Sequence, residues 1–146
     1  MKITLGVIGK CKSGSPEADI IERYRERLKW TLQIKEKDNS TQAEEAKFLQ
    51  SCIAPNAKVV VLDERGKNMS STEFAGIIEN WMLEGTSEIC FLIGGADGHL
   101  EETRKKADLI LSFGKLTLPH ILMRAVLSEQ IYRAETIIEG HPYHRI

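Results

Sequence analysis

Two stretches constrain the fold more than anything else in the chain: "AKVVVLDE" (57–64) and "EICFLIGG" (88–95) are almost continuously apolar. A strand with one wet face alternates, so a run that is apolar at nearly every position expects cover on both faces, as inside a parallel sheet. "KITLGVIG" (2–9), "LQIKEK" (32–37) and "ADLILSFG" (107–114) also read as strands, the second of them half exposed. Longer helical patterns separate them: "SPEADIIERYRERLKW" (15–30), "TQAEEAKFLQSCI" (41–53) and "SSTEFAGIIENWMLEG" (70–85). Each opens on Ser or Thr with an acidic residue in the first turn, the signature of a helix N-terminus. A last long helix follows Pro119, whose fixed φ and missing N–H are tolerated in a first turn. Strand and helix alternate throughout, which predicts an α/β fold with a mostly parallel sheet and helices on both faces.

The 146 residues, 42% hydrophobic and 28% charged, suffice for a single domain, 1–146, with its own core. Cys11, Cys52 and Cys90 are odd in number, far apart and without a C-x-x-C pair. That pattern argues against a disulfide framework or a metal site, and the expected home is a reducing cytoplasm. "MKITLGVIGKCKSG" lacks a cleavage site after its apolar run, and no stretch approaches the ~20 apolar residues of a membrane span, so neither secretion nor membrane insertion is expected. A net charge of −1 does not advertise a nucleic-acid binder, and nothing points to DNA. Any RNA contact must come from local basic residues: Lys10, Lys12, Arg104, Lys105, Lys106, Lys115, Arg124, Arg133 and Arg145.

Ligands of parallel sheets collect outside the carboxyl ends of the strands. The loops there are "KCKSGS", "DERGKN", "GGADGH" and "FGKLTLPH". In "LIGGADGH", Gly94, Gly95 and Gly98 follow a buried strand and precede a short polar helix near Leu100. Glycine admits positive φ and close approach of a ligand to the backbone. The loop is neither G-x-G-x-x-G nor a P-loop, and a tight strand-to-helix turn remains the alternative reading. "SFGKLTLPH" (112–120) offers backbone donors and acceptors that suit a neutral base such as adenine.

The last helix is apolar at Ile121, Leu122, Ala125, Val126, Ile131, Ala134, Ile137 and Ile138, with Met123, Leu127 and Tyr132 pointing elsewhere. That is wider than one surface stripe and predicts a second buried face, most simply a symmetric dimer interface. Glu129 and Arg133 stand at i, i+4 spacing, which by itself reads as an ion pair on the helix surface. The chain closes on "EGHPYHRI", either a frayed end or a segment held in place for chemistry.

Taken together, "LIGGADG" (92–98), "LTLPH" (116–120), "SEQIYRA" (128–134) and "HPYHR" (141–145), with "MKITLGVIGK" and "VVLDERGK", resemble the large-subunit ribosomal RNA methyltransferase H family of the SPOUT superfamily. The resemblance spans essentially the whole chain, and the joint occurrence of the motifs is specific where no single piece is. It implies a SPOUT-type fold whose C-terminal part forms a deep trefoil knot, an exception to the rule against threaded loops. It implies an obligate homodimer that uses S-adenosylmethionine, bent in the knot, to methylate N3 of a pseudouridine in a stem-loop of 23S rRNA on the assembled ribosome. Cofactor contacts would fall on Leu62, on Gly95 with Gly94 beside it, and on Gly114, Lys115, Leu116, Thr117, Leu118 and Pro119. Ala96 and Asp97 depart from the proline and glutamate frequent in the family, which touches the rigidity of the loop.

In that chemistry the acceptor imide must lose a proton and its developing anion must be stabilised. His144 is a candidate proton acceptor, with Glu129 and substrate-assisted proton loss as competitors. Arg145 would stabilise the oxyanion or grip a phosphate, Tyr143 offers a face for a base, and His141 caps the helix or meets RNA. The tail is expected to cross a dimer interface or to fold back over the knot. Two other readings stay open: a non-catalytic cofactor-binding module, and a SPOUT enzyme acting on transfer RNA.

Overall fold

The computed structural model describes residues 1–145. Five strands, β1 (Lys2–Ile8), β2 (Thr31–Lys37), β3 (Lys58–Asn68), β4 (Glu88–Ile93) and β5 (Leu109–Ser112), form one sheet in the order β2-β1-β4-β3-β5. Every pairing is parallel. The helices are α1 (Pro16–Arg27), α2 (Gln42–Ser51), α3 (Ser71–Leu83), α4 (Glu101–Arg104) and α5 (His120–Glu139). The expected α/β architecture is therefore present, and its helix starts are set by the residues that signalled them. Ser15, Thr41 and Ser70 each occupy an N-cap, their hydroxyls accepting from the backbone N–H of Ala18, Glu44 and Glu73 at 3.2, 3.2 and 3.1 Å.

Successive side chains of a strand point to opposite faces, and the inner strands β1, β4 and the first half of β3 are mostly apolar on both. Leu5, Val7, Phe91 and Ile93 meet Phe74 and Ile78 of α3 and Leu127 and Ile131 of α5 on one face. Ile8, Val61, Cys90 and Leu92 meet Leu49 of α2 and Cys52 at its C-terminal cap on the other. Helices α1, α3 and α5 thus cover one side, with α5 packed between the other two, and α2 with α4 covers the opposite side.

The structure corrects three expectations. "DERGKN" is not a loop: β3 runs on past Leu62 to Asn68, re-joining β5 after an irregularity in which Leu62 and Lys67 both oppose Leu111. On α5 the buried face is made by Ala125, Leu127, Ser128, Ile131, Tyr132 and Ala134, so Leu127 and Tyr132 point into the core rather than away from it. The width of the apolar face follows in part from α5 touching the sheet, α1 and α3 at once. Arg124 does not belong to a basic rim: it is 1% exposed, ion-paired with Glu36, and donates from Nη2 to the Gly9 carbonyl at 3.0 Å.

Gly140 ends α5 in the left-handed region at φ 75°. Its N–H donates to Ile137 O at 3.2 Å and that of His141 to Thr136 O at 2.9 Å, the paired bonds of a Schellman motif. That motif reverses the chain, so the tail returns along α5 instead of extending from it.

Candidate functional site

Because α3 leaves β3 toward one face while α4 leaves β4 toward the other, the chain diverges at the carboxyl ends of these neighbours and leaves a crevice. A cleft of about 660 Å³ opens there. Its floor is Leu62, Ile93 and Leu111, one residue from each of three strands; its walls are the glycine loop and the segment from Phe113 to His120, with Met123 of α5 at one end. The size and the apolar floor with few polar groups are those of a small-molecule site.

The structure brings together most residues that the resemblance assigns to a cofactor. Leu62, Gly94, Gly95, Gly114, Leu116, Thr117, Leu118 and Pro119 all line the cleft, whereas Lys115 is exposed and does not line it. Gly66 has no room for a Cβ against the Ile110 carbonyl of β5, and two further glycines near the cleft are similarly crowded. At Gly95 a Cβ would stand 2.9 Å from Glu45 Oε1 and 3.1 Å from Ile8 Cγ2. Gly9, after β1, has φ 102° and a Cβ there would meet the His120 ring at 2.2 Å, so the loop after β1 lies directly against the start of α5. Gly95→Ala is expected to lower stability by about 1–3 kcal/mol through overpacking and to weaken ligand binding. Thermal melts together with calorimetry check this, and adding Glu45→Ala should recover part of the loss; full stability in the single variant would refute the overlap.

Sequence reasoning missed three polar groups of the cleft. Asp63 carries four donors on its two oxygens: Arg65 N at 2.9 Å and Arg65 Nε at 3.2 Å on Oδ1, Arg65 Nη2 at 3.1 Å and Arg104 Nη1 at 3.5 Å on Oδ2. Burial pushes its pKa up, but these hydrogen bonds and charges outweigh burial and hold the carboxyl below its ordinary value. Arg104 also binds Glu101 and the His99 carbonyl, which removes it from the free basic residues. His99 is 6% exposed, and burial holds its imidazole below the ordinary value, hence neutral. Backbone groups of Leu62 and Leu92 lie near its ring, yet neither ring nitrogen has a hydrogen bond of normal geometry. Nδ1 of His120 is likewise buried without a partner. The missing signal was long-range: nothing in "GHL" or "LPH" indicates a ring turned into a cleft.

The candidate catalytic residues collect elsewhere. Arg133 donates from Nε to Glu129 Oε1 at 2.9 Å and stands 2.9 Å from His144 Nδ1 through Nη1. Its guanidinium lies 4.8 Å from the Tyr143 ring centroid. Tyr143 donates its hydroxyl to Glu129 Oε1 at 3.0 Å and packs edge-on against Tyr132 at 4.8 Å. Burial, with hydrogen bonds to Tyr24 and Glu129, raises the Tyr143 pKa well above that of a free phenol. His141 is exposed and acts as a local brace, its Nδ1 accepting from Tyr143 N at 3.1 Å. Glu129, Tyr143 and His144 therefore form one cluster around Arg133, with Arg145 exposed beside them. None of the four lines the cleft of its own chain. Glu129 lies six positions beyond Met123 on α5, about 9 Å of helix. The Glu129–Arg133 pair is half-buried and networked rather than a free surface pair. An arginine only donates, so His144 Nδ1 is the acceptor of that contact, and its lone pair is engaged in this arrangement.

The family described as "Predicted SPOUT methyltransferase" matches residues 1–144. A Paramagnetospirillum magneticum protein named Ribosomal RNA large subunit methyltransferase H is 43% identical over an alignment of 152 residues that covers 99% of both chains. Its namesake in Zymomonas mobilis is 47% identical over 143 residues, 98% of this chain and 95% of that one. A solved structure, a probable methylase family protein from Haemophilus influenzae Rd KW20, superposes with TM-score 0.57 over 99% of this chain and 70% of its own, at 11% identity, and so shares the fold. The sheet order, the cleft at its carboxyl edge and these full-length matches converge: the chain belongs to the SPOUT methyltransferase family, among the ribosomal RNA large subunit methyltransferase H proteins.

Proposed function

We propose that this protein is a cytoplasmic homodimer that transfers a methyl group from S-adenosylmethionine to N3 of a pseudouridine in a 23S rRNA stem-loop on the assembled ribosome. The observation that carries the reading is the identity of 43–47% over nearly the whole chain to relatives named for large-subunit rRNA methylation, combined with a nucleoside-sized cleft at the matching loops. The trefoil knot expected from the resemblance is part of this reading.

The cleft suits the cofactor on its own chemistry. Its floor is apolar, glycines make up part of its wall, and His99 and His120, which line it, hold buried ring nitrogens without a hydrogen bond of normal geometry. Leu62, the glycine loop and the 114–119 segment would hold the nucleoside by backbone groups, excluding water from the reacting carbon. The bound cofactor supplies a sulfonium methyl, an intrinsically reactive donor. The protein's task is then alignment, which is capable of contributing on the order of 7–11 kcal/mol.

The acceptor needs groups that the cleft of one chain does not contain. In a two-fold dimer the cluster around Arg133 would reach the cleft of the second copy. Arg145 would stabilise the imide oxyanion there, and Tyr143 would support the pyrimidine once released from Tyr132 or beside it. Proton acceptance falls to Glu129 or to His144, and His144 must first give up its contact with Arg133. Exposed Lys12, Lys105, Lys106, Lys115 and Arg145 remain for phosphates, with Lys10 exposed in a surface pair with Asp38, a small number that suits recognition by shape on a ribosome.

The test is transfer from labelled S-adenosylmethionine to ribosomes lacking the modification, with the product mapped by nuclease digestion and mass spectrometry. Label at N3 of a single 23S pseudouridine is the expected result. Label in transfer RNA alone, or efficient methylation of the naked hairpin with no preference for ribosomes, would overturn target or context, and cofactor binding without any transfer would favour a non-catalytic module.

A further inference from the structure

We infer that His99 is a ligand-binding residue of the cleft, exchanging a hydrogen bond with a ribose hydroxyl of the nucleoside held there. The inference rests on the cofactor reading above and adds to it the one side chain that reads the sugar.

His99 lies on the β3–β4 side of the cleft and is 6% exposed; the backbone of Leu62 and Leu92 lies close to its ring, but neither ring nitrogen makes a hydrogen bond of normal geometry. Leaving a buried polar group without a partner costs ~1–3 kcal/mol, so a group of this kind at a cavity wall marks the place where a ligand completes the hydrogen bonding. Two features hold the ring in position. Gly94 lies over it, where a Cβ would come to 3.2 Å from Cε1, and Arg104 Nη1 fixes its backbone through the carbonyl at 2.9 Å. The nearby carboxylate of Asp63 is fully committed to Arg65 and Arg104 and has no free lone pair to offer. Glu45 Oε1, also unpaired, stands behind Gly95 and does not line the cleft.

The chemistry of the ring selects the part of the ligand. A neutral imidazole presents one donor and one acceptor. It cannot balance the carboxylate or the ammonium of an amino-acid moiety, each of which calls for an opposite charge. On the cofactor reading, the backbone of the 114–118 segment would meet the adenine edge. A hydroxyl, donor and acceptor in one atom, is the remaining polar group of the nucleoside and fits the ring.

The experiment is titration calorimetry of the full chain with S-adenosylhomocysteine and with its 2′-deoxy and 3′-deoxy ribose analogues, in the wild type, His99→Leu and His99→Asn. The expected result is that one deoxy analogue binds the wild type about tenfold more weakly, as one lost hydrogen bond in a buried site requires. His99→Leu should weaken the parent ligand by a similar factor and bind parent and deoxy analogue within twofold of each other, with His99→Asn in between. Two results overturn the inference: a wild type that binds both analogues as tightly as the parent, which needs no variant to fold, or a deoxy penalty undiminished in a folded His99→Leu or His99→Asn protein. A wild type that binds none of the three ligands overturns the cofactor reading itself, and this inference with it.

Discussion

Truncation after Gly140 abolishes methyl transfer while S-adenosylmethionine still binds within about threefold of the wild-type affinity: this is the outcome expected if the tail is the acceptor-side half of the site. The removed groups would include a proton acceptor and an oxyanion-stabilising arginine, and the loss of either kind of group costs a factor of about 10²–10⁴. None of the described residues among those removed, 141–145, lines the cleft of its own chain, so the cofactor should hardly notice their absence. The fold does notice. Tyr143 covers Tyr132 and bonds Glu129, so the truncated protein should lose about 2 kcal/mol of burial and must be assayed well below its melting temperature. Arg145→Ala separates the two effects, because Arg145 is exposed and its removal should leave stability unchanged. Turnover retained after truncation would make the tail mere packing and would return the acceptor chemistry to α5.

The second large effect concerns stability. Glu36→Ala leaves Arg124, 1% exposed on α5, as a buried cation without its carboxylate. Breaking a buried pair by removing one partner costs about 3–5 kcal/mol. Because the Glu36 side chain is 29% exposed and water still reaches it, the lower end of that range applies. For a chain of this length about 3 kcal/mol lowers the melting temperature by roughly 10 °C. Arg124→Met should be milder, since it removes the charge along with the need to balance it.

The pH dependence has a definite sign. Burial pushes the Glu36 carboxyl up, but the Cys11 N–H, the Arg124 hydrogen bond and the charges of Arg124 and Lys10 outweigh it and hold the pKa below the ordinary 4.5. A group with a depressed folded pKa stabilises fully above its unfolded value and loses that contribution as pH falls through the folded one. Urea melts should therefore show a constant gap between wild type and Glu36→Ala above about pH 5, closing as the solution is acidified below pH 4.5. A gap below 1 kcal/mol at neutral pH, or one that widens in acid, would contradict the assignment.

Much of this protein was legible from short-range pattern. The apolar runs 57–64 and 88–95 marked the covered strands, and Ser15, Thr41 and Ser70 marked helix starts, because strand burial and capping depend on residues within one turn or one pleat. The glycine loop and the 112–120 segment were legible as cleft walls for a similar reason: a parallel strand ends in a loop at the ligand edge whatever its neighbours are.

The sequence by itself determined the element types, their order, the parallel habit of the sheet and the loops that would meet a ligand. Only the tertiary structure decided the strand order β2-β1-β4-β3-β5, the extension of β3 to Asn68, the inward turn of Leu127 and Tyr132, the burial of His99, and the pairing of Glu36 with Arg124 across 88 residues of chain. It also decided that "HPYHR" folds back onto Glu129 and Arg133 instead of fraying. The physical reason is common to all of these. Periodicity reports which face of an element is apolar, but which partner covers that face is set by how distant segments cross, and a buried charge or an unpaired ring acquires its meaning only from the groups those crossings bring beside it.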